Sequence, residues 1–284
     1  MTPAIDPRQQ QELPGDEKRM HPLPRHEDPA YRGSGRLRGK VAVITGADSG
    51  IGKAVAIAFA KEGARCVLSY LDEHDDVHDT QRQVQAHGSE CVLLPGDLRQ
   101  REHCERVIDT ALSHFGALDL LVNHAGEQYQ TDSLEQVDDQ AMQRVFETNV
   151  FSMFYLARAA LRHMKPGAAI INTLSVVAYK GNPMLLDYSA SKGATLAFTR
   201  ALAASLADKG IRVNGVAPGP IWTPLIPASF SPDKLESFGR DTPMGRPGQP
   251  HELAPAYVFL ASHADSSYIT GQVIHVNGGI AVGS

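Results

Sequence analysis

From Lys40 onward the sequence alternates between two kinds of stretch, and nothing else in it restricts the fold as much. Short apolar runs (VAVIT, CVLSY, CVLLPGD, LDLLVNHAG, AIINTLS, IRVNGVAPG, QVIHVNGG) read as strands. Between them lie stretches of helical period, such as GIGKAVAIAFAKEG and REHCERVIDTALSHFG. Strands that are apolar throughout must be covered on both faces, and helices alternating with parallel strands provide that cover. Right-handed crossovers then wind the sheet outward in two directions. The expectation is an α/β fold: a single doubly wound domain with a seven-stranded parallel sheet and helices on both faces. No internal repeat or second boundary interrupts the pattern, and 284 residues are ample for one large core.

Two regions stand outside the alternation. Residues 1–38 are rich in Pro, Gln, Arg, His and Asp and lack apolar periodicity. They cannot bury enough to fold alone, so a polar, flexible arm, or one lying on another surface, is expected ahead of a catalytic domain at 39–284. Ile221 to Gly248 is Pro-rich with a weak helical stretch near SPDKLESFG, a composition suited to a lid or binding loop. The net charge of −5 argues against a general nucleic-acid or anionic-membrane binder. No apolar run reaches the roughly 18 residues of a membrane span, and the N-terminus lacks the apolar core of a secretory signal. Cys66, Cys91 and Cys104, an odd count without paired spacing, suggest reduced thiols and a cytoplasmic setting. His74 and His78 have metal-like spacing, but nothing suggests a third ligand; the expectation is a solvated face and no metal.

The strongest local signal is TGADSGIG, Thr45 to Gly52, which follows the first strand and opens a helix. Gly46, Gly50 and Gly52 allow a tight turn and close backbone approach, and a helix N-terminus offers free N–H groups to a pyrophosphate. In this position the loop predicts dinucleotide binding. Asp97, in Gly96–Asp97 after the third strand, either accepts from an adenine amino group or caps the next helix. Asn123 to Gly126 ends the fourth strand at the same sheet edge; Gly126 lets backbone approach the cofactor, and Asn123 either joins it or ties strands together. After the second strand, Tyr70 stands near where an acid would bind the ribose, followed by Asp72 and Glu73. With Asp48 also acidic and no Lys or Arg nearby, the choice between NAD and NADP leans electrostatically towards NAD.

The chemistry is read from DYSASKG. Tyr188 and Lys192 are one helical turn apart with small residues between them, so a phenol and an ammonium share a face. Without other motifs they would be a surface pair. With a free tyrosine pKa near 10, shifting it to about 7 requires roughly 4 kcal/mol of preference for phenolate, which nearby positive charge could supply. Ser175, at the end of AIINTLS, is placed to bind a carbonyl oxygen, and Asn149 is an amide in an apolar helix face, suited to a proton relay or to a structural role.

TGADSGIG, NHAG, Ser175, YSASK and APGPIWT occur in the order and spacing of the short-chain dehydrogenase/reductase family, which the chain resembles from about Leu37 to Gly279. The leader, EGARCVLSYLDEH and YKGNPMLLDYSASKGA look most like its bacterial glucose-1-dehydrogenase-like and general-stress members. The resemblance implies a Rossmann-type domain and an NAD- or NADP-dependent enzyme that moves a hydride between nicotinamide and a carbonyl or alcohol. By it, Tyr188 is the general acid/base, Ser175 the carbonyl orienter, Lys192 the pKa modulator and ribose ligand, and Asn149 the relay. It adds Ser49, Ile51, Leu98 and Ala125 to the cofactor contacts, and places the nicotinamide amide by Pro218, Gly219, Ile221 and Thr223. His124 departs from the family's usual asparagine. The family also implies a homotetramer. A non-catalytic NAD(P) sensor or assembly protein on the same fold is the rival, against which the filled Ser–Tyr–Lys–Asn set argues.

Overall fold

In the computed structural model, which describes residues 5–283, the apolar runs form strands because every side chain in them finds cover. β1 (Val41–Thr45), β5 (Ala169–Thr173) and β6 (Arg212–Pro218) are buried at every position. β2 (Arg65–Tyr70), β3 (Cys91–Pro95), β4 (Leu120–Asn123) and β7 (Val273–Val276) complete a parallel sheet among the described residues, in the order β3-β2-β1-β4-β5-β6-β7. The register of β1 against β2 runs Val41 to Arg65 through Thr45 to Ser69, and against β4 Ala42 to Leu120. The order reverses between β1 and β4, so a crevice opens there at the carboxyl ends of the strands.

The two faces of the sheet have separate cores. One gathers Ile44, Leu68, Phe59 and Tyr257 under the helices Gly50–Lys61 and Pro250–Ala261. The other gathers Val43, Ile108, Leu156 and Leu206 under Arg101–Phe115, Ser152–Ala160 and Leu186–Leu206. Helix Pro250–Ala261 starts where Pro occupies its first turn and Gln249 and Glu252 form a capping box.

The helical segment that begins after Asp138 is not a uniform α-helix. Asp138 caps it, accepting from Ala141 N at 2.8 Å. It then runs Asp139–Phe146, widens into a π turn at Glu147–Phe151, and ends at Ala160. A single π turn inserts one residue without breaking the helix and re-aims the side chains within it, here Asn149.

The leader lies along the body of its own chain. Met20 and Leu37 are fully buried, and Met20 joins Trp222, Ile226 and Leu235 in a third, small cluster. Trp222 is an anchor of the Pro-rich loop: its Nε1 donates to Pro22 O at 2.7 Å. The sequence predicts no such contact, because the few apolar leader residues have no period and their partners are some two hundred positions away.

Candidate active site

The turn after β1 closes on itself through its glycines. Gly50 has φ +51°, and a Cβ there would stand 3.1 Å from the Thr223 side chain. A Cβ on Gly52 would stand 1.8 Å from Gly46 O, so only glycine lets the helix begin so close to the strand end. Beside this turn a cavity of about 1110 Å³ runs along the carboxyl ends of the strands, large enough for a dinucleotide together with a small substrate.

Most residues predicted to hold the cofactor line this cavity. Gly46, Asp48, Ser49, Gly50 and Ile51 contribute the turn, and Tyr70 ends β2. Asp97 and Leu98 follow β3, Ala125 and Gly126 follow β4, and Pro218, Gly219, Ile221 and Thr223 come from the end of β6 and beyond. Gly52 and Asn123 do not line it. Asn123 is buried, and its Nδ2 donates to Asn172 Oδ1 at 2.8 Å, so its amide ties β4 to β5. Asp97 does not cap the next helix, which Gln100 precedes; its carboxylate is gripped by Arg99, with Nη2 2.6 Å from Oδ2. Arg99 also lines the cavity. The sequence reading places no cation by the end of β2, and Arg99 arrives from the end of β3, two residues past the Asp it pairs with.

The rim beside Tyr70 is acidic. Burial, opposed by a hydrogen bond from Ser49 Oγ (2.7 Å), pushes the Asp48 carboxyl up to about 6. Burial and the charge of Asp48 push Glu73 up to about 7. The Tyr70 hydroxyl pairs with His74 Nδ1 at 2.8 Å.

At the other end, the helix Leu186–Leu206 carries Tyr188 and Lys192 on one face, with Lys192 Nζ 5.5 Å from the centroid of the Tyr188 ring. Lys192 is 3% exposed and donates to Thr173 O, at the end of β5, at 2.9 Å. Ser175 lies two residues further on and lines the same cavity. The expected acidification of Tyr188 is not present in the protein alone: burial pushes the phenol up to about 12, although a hydrogen bond with Ser175 acts in the opposite direction. Burial also pushes the Lys192 ammonium down to about 8. At neutral pH the phenol therefore holds its proton, and the lysine is largely charged.

Asn149 stands behind the cavity rather than in it. Its Nδ2 donates to Glu127 O (3.0 Å) and Ser191 Oγ (3.1 Å), and its Oδ1 accepts from Glu127 N (2.9 Å). It thereby joins the π turn, the segment after β4 and the turn of helix between Tyr188 and Lys192. His124 pairs with Thr173 Oγ1 at 3.1 Å, and burial next to the Lys192 charge holds it neutral, down to about 3. Gln128, Val176, Val177, Asn182, Leu185 and Phe238 also line the cavity, a mixed polar and apolar set. Two further lining residues, Leu13 and Pro14, come from the leader and escape the sequence reading altogether.

A parallel doubly wound sheet with a glycine turn and a crevice at its switch point defines a dinucleotide-binding protein of the Rossmann type. Comparison with known proteins narrows this. The family model described as Enoyl-(Acyl carrier protein) reductase matches residues 46–281. The chain is 56% identical over 98% of its length to the uncharacterized oxidoreductase YhdF of Bacillus subtilis (strain 168), covering 96% of that protein. It is 52% identical to the chloroplastic NADPH-dependent aldehyde reductase 1 of Arabidopsis thaliana, over 98% of this chain and 99% of that one. A short chain dehydrogenase from Burkholderia cenocepacia J2315, solved in complex with NADP, superposes with a TM-score of 0.80 at 27% identity, over 86% of this chain and 98% of that one. The chain belongs to the short-chain dehydrogenase/reductase family and is an NAD(P)-dependent oxidoreductase acting on a small molecule. No helix among the described residues is long and apolar enough to cross a membrane.

Proposed function

We propose that this enzyme moves a hydride between nicotinamide and a carbonyl or alcohol substrate, a small aldehyde, ketone or sugar-like alcohol, with Tyr188 as general acid/base. The observation that carries the reading is the buried Lys192 ammonium beside the Tyr188 ring, on the wall of a crevice that also presents Ser175. When bound, the nicotinamide supplies or accepts the hydride. The chain's own residues handle the proton. In reduction, Ser175 holds the carbonyl oxygen and Tyr188, protonated at neutral pH, gives its proton to that oxygen as negative charge develops there. Lys192, one turn away and fixed by Thr173 O, stabilises the phenolate left behind. Asn149 fixes the spacing of the helix turn that carries the pair. Oxidation runs the same steps backwards. Tyr188→Phe tests this directly: turnover should fall about 10³-fold, within the span of general acid–base effects, while cofactor affinity stays near wild type. Turnover near wild type in that variant refutes the assignment.

For the cofactor, the acidic rim formed by Asp48, Asp72 and Glu73 supports NAD, because a 2′-phosphate beside it would meet like charge. The relative named for NADPH and the neighbour solved with NADP speak for the phosphorylated form. Side-by-side kcat/KM values for NADH and NADPH decide, and a preference for NADPH refutes the electrostatic reading. The exposed Met142, Phe151 and Phe154, on the helical segment between Asp139 and Ala160, support burial between subunits of a homotetramer, which sedimentation tests.

A further inference from the structure

The leader reaches both lips of the crevice. On one side Glu17, 5% exposed, accepts from Gly50 N at 2.9 Å and pairs with Lys53 Nζ at 2.7 Å. His26 Nε2 lies 2.8 Å from Glu17 Oε2, the oxygen that also accepts from Gly50 N, and Glu17 N donates to Asp76 Oδ2 at 3.0 Å. On the other side Gln11 N donates to Pro227 O at 3.0 Å, Gln10 Nε2 to Phe230 O at 3.1 Å, and Met20 is buried against Trp222, Ile226 and Leu235. Between these anchors Leu13 and Pro14 form part of the cavity wall.

A buried carboxylate costs free energy unless it is paired and hydrogen-bonded, so its placement calls for a reason. Glu17 binds the first N–H of the helix that the phosphate turn opens, at the glycine whose φ is +51°. Gly50 has no side chain to fix that conformation, and a flexible turn must lose entropy each time it binds a ligand. A carboxylate that already holds Gly50 N–H and the Lys53 side chain one turn later removes much of that loss beforehand.

We propose that the leader is part of the dinucleotide site, with Glu17 as the positioning residue that pre-orders the phosphate turn and Leu13–Pro14 as a wall over the bound cofactor. The proposal rests on the reading that this crevice holds NAD(P). It makes the cofactor's affinity, rather than the chemical step, depend on a segment outside the alternating domain.

Calorimetric titration of the full chain with NADH and NADPH tests it, with steady-state kinetics and thermal melts alongside. In Glu17→Ala the Kd of the preferred cofactor should rise about tenfold with kcat within about twofold. Glu17→Gln keeps an acceptor for Gly50 N–H and should recover part of the loss, to about threefold. Leu13→Ala, which removes wall but no anchor, should cost about threefold. Arg8→Ala, on the exposed part of the leader, should change nothing. Unchanged affinity in folded Glu17→Ala overturns the proposal, and so does tighter binding, which would mean that the carboxylate competes with the phosphates. If Glu17→Ala fails to fold, unchanged affinity in both Glu17→Gln and Leu13→Ala overturns it. A wild-type chain that binds neither cofactor sinks this proposal and the cofactor reading together.

Discussion

The two ends of the crevice are assembled in opposite ways. At the chemical end, Tyr188 and Lys192 come from one turn of one helix, and their partners Thr173 and Ser175 lie within about twenty positions in the chain. The groups there are held by hydrogen bonds to uncharged acceptors and by burial, which keeps the phenol protonated and lowers the pKa of the ammonium. At the nucleotide end, the phosphate turn is held by a carboxylate more than thirty positions upstream, and the rim includes two acids, Asp48 and Glu73, that burial drives towards neutrality. The first arrangement suits the proposed proton transfer. The second suits the proposed pre-ordering of a cofactor site whose charge selects between ligands.

If this contrast is right, damage at one end should leave the other end's parameter untouched. The largest effect expected is the loss of about three orders of magnitude in kcat for Tyr188→Phe, with cofactor Kd within about threefold; a matching loss of affinity would break the contrast. Asn149→Ala removes a buried amide with three partners and should lower kcat about tenfold, since it loosens the turn carrying the catalytic pair. The rate of reduction should also respond to pH through Lys192. Its cation is present below about 8 and is lost as pH rises through that value, so kcat/KM for reduction should fall on the alkaline side, in a pH–rate profile of the wild type. The nucleotide end should respond in the acid range instead. Asp48 and Glu73, raised to about 6 and about 7, lose their charge as pH falls, so any discrimination against NADPH should narrow severalfold between pH 8 and pH 6. A ratio that does not move with pH would remove the rim from the account. The smallest effect concerns stability: Trp222→Phe gives up the bond to Pro22 O and should cost about 1 kcal/mol in denaturant unfolding, with kcat nearly unchanged.

The same contrast explains what could be read from the sequence. The alternating runs predict the sheet because a strand buried on both faces has no polar position to blur its signal, and the observed strand order is the doubly wound one. Tyr188, Lys192, Ser175 and the glycine turn are legible because each lies at a strand end or on one helix turn, where spacing translates directly into geometry. Asn123 leaves two roles open for the same reason: it sits at a strand end, and only the structure shows its amide used inside the sheet, bonded to Asn172. The π turn at Asn149 is invisible to periodicity, since one inserted residue scarcely alters the apolar pattern of a helix. Glu17, Leu13 and Pro14 carry no local signature. Their placement depends on distant segments, Glu17 meeting Gly50 and Lys53 and Leu13 and Pro14 lining the cavity, and a polar leader reads the same whether or not it meets them. The direction of the Tyr188 shift was also out of reach, because it depends on how deeply the phenol is enclosed.

Trp222 is the sole tryptophan of the chain, and it is fully enclosed at the seam where leader and Pro-rich loop meet. The molecule thus carries a built-in optical label at that junction. Its ultraviolet emission should be blue-shifted while the seam is dry and should move to longer wavelength when water enters, so leader undocking can be timed by stopped flow without attaching a dye.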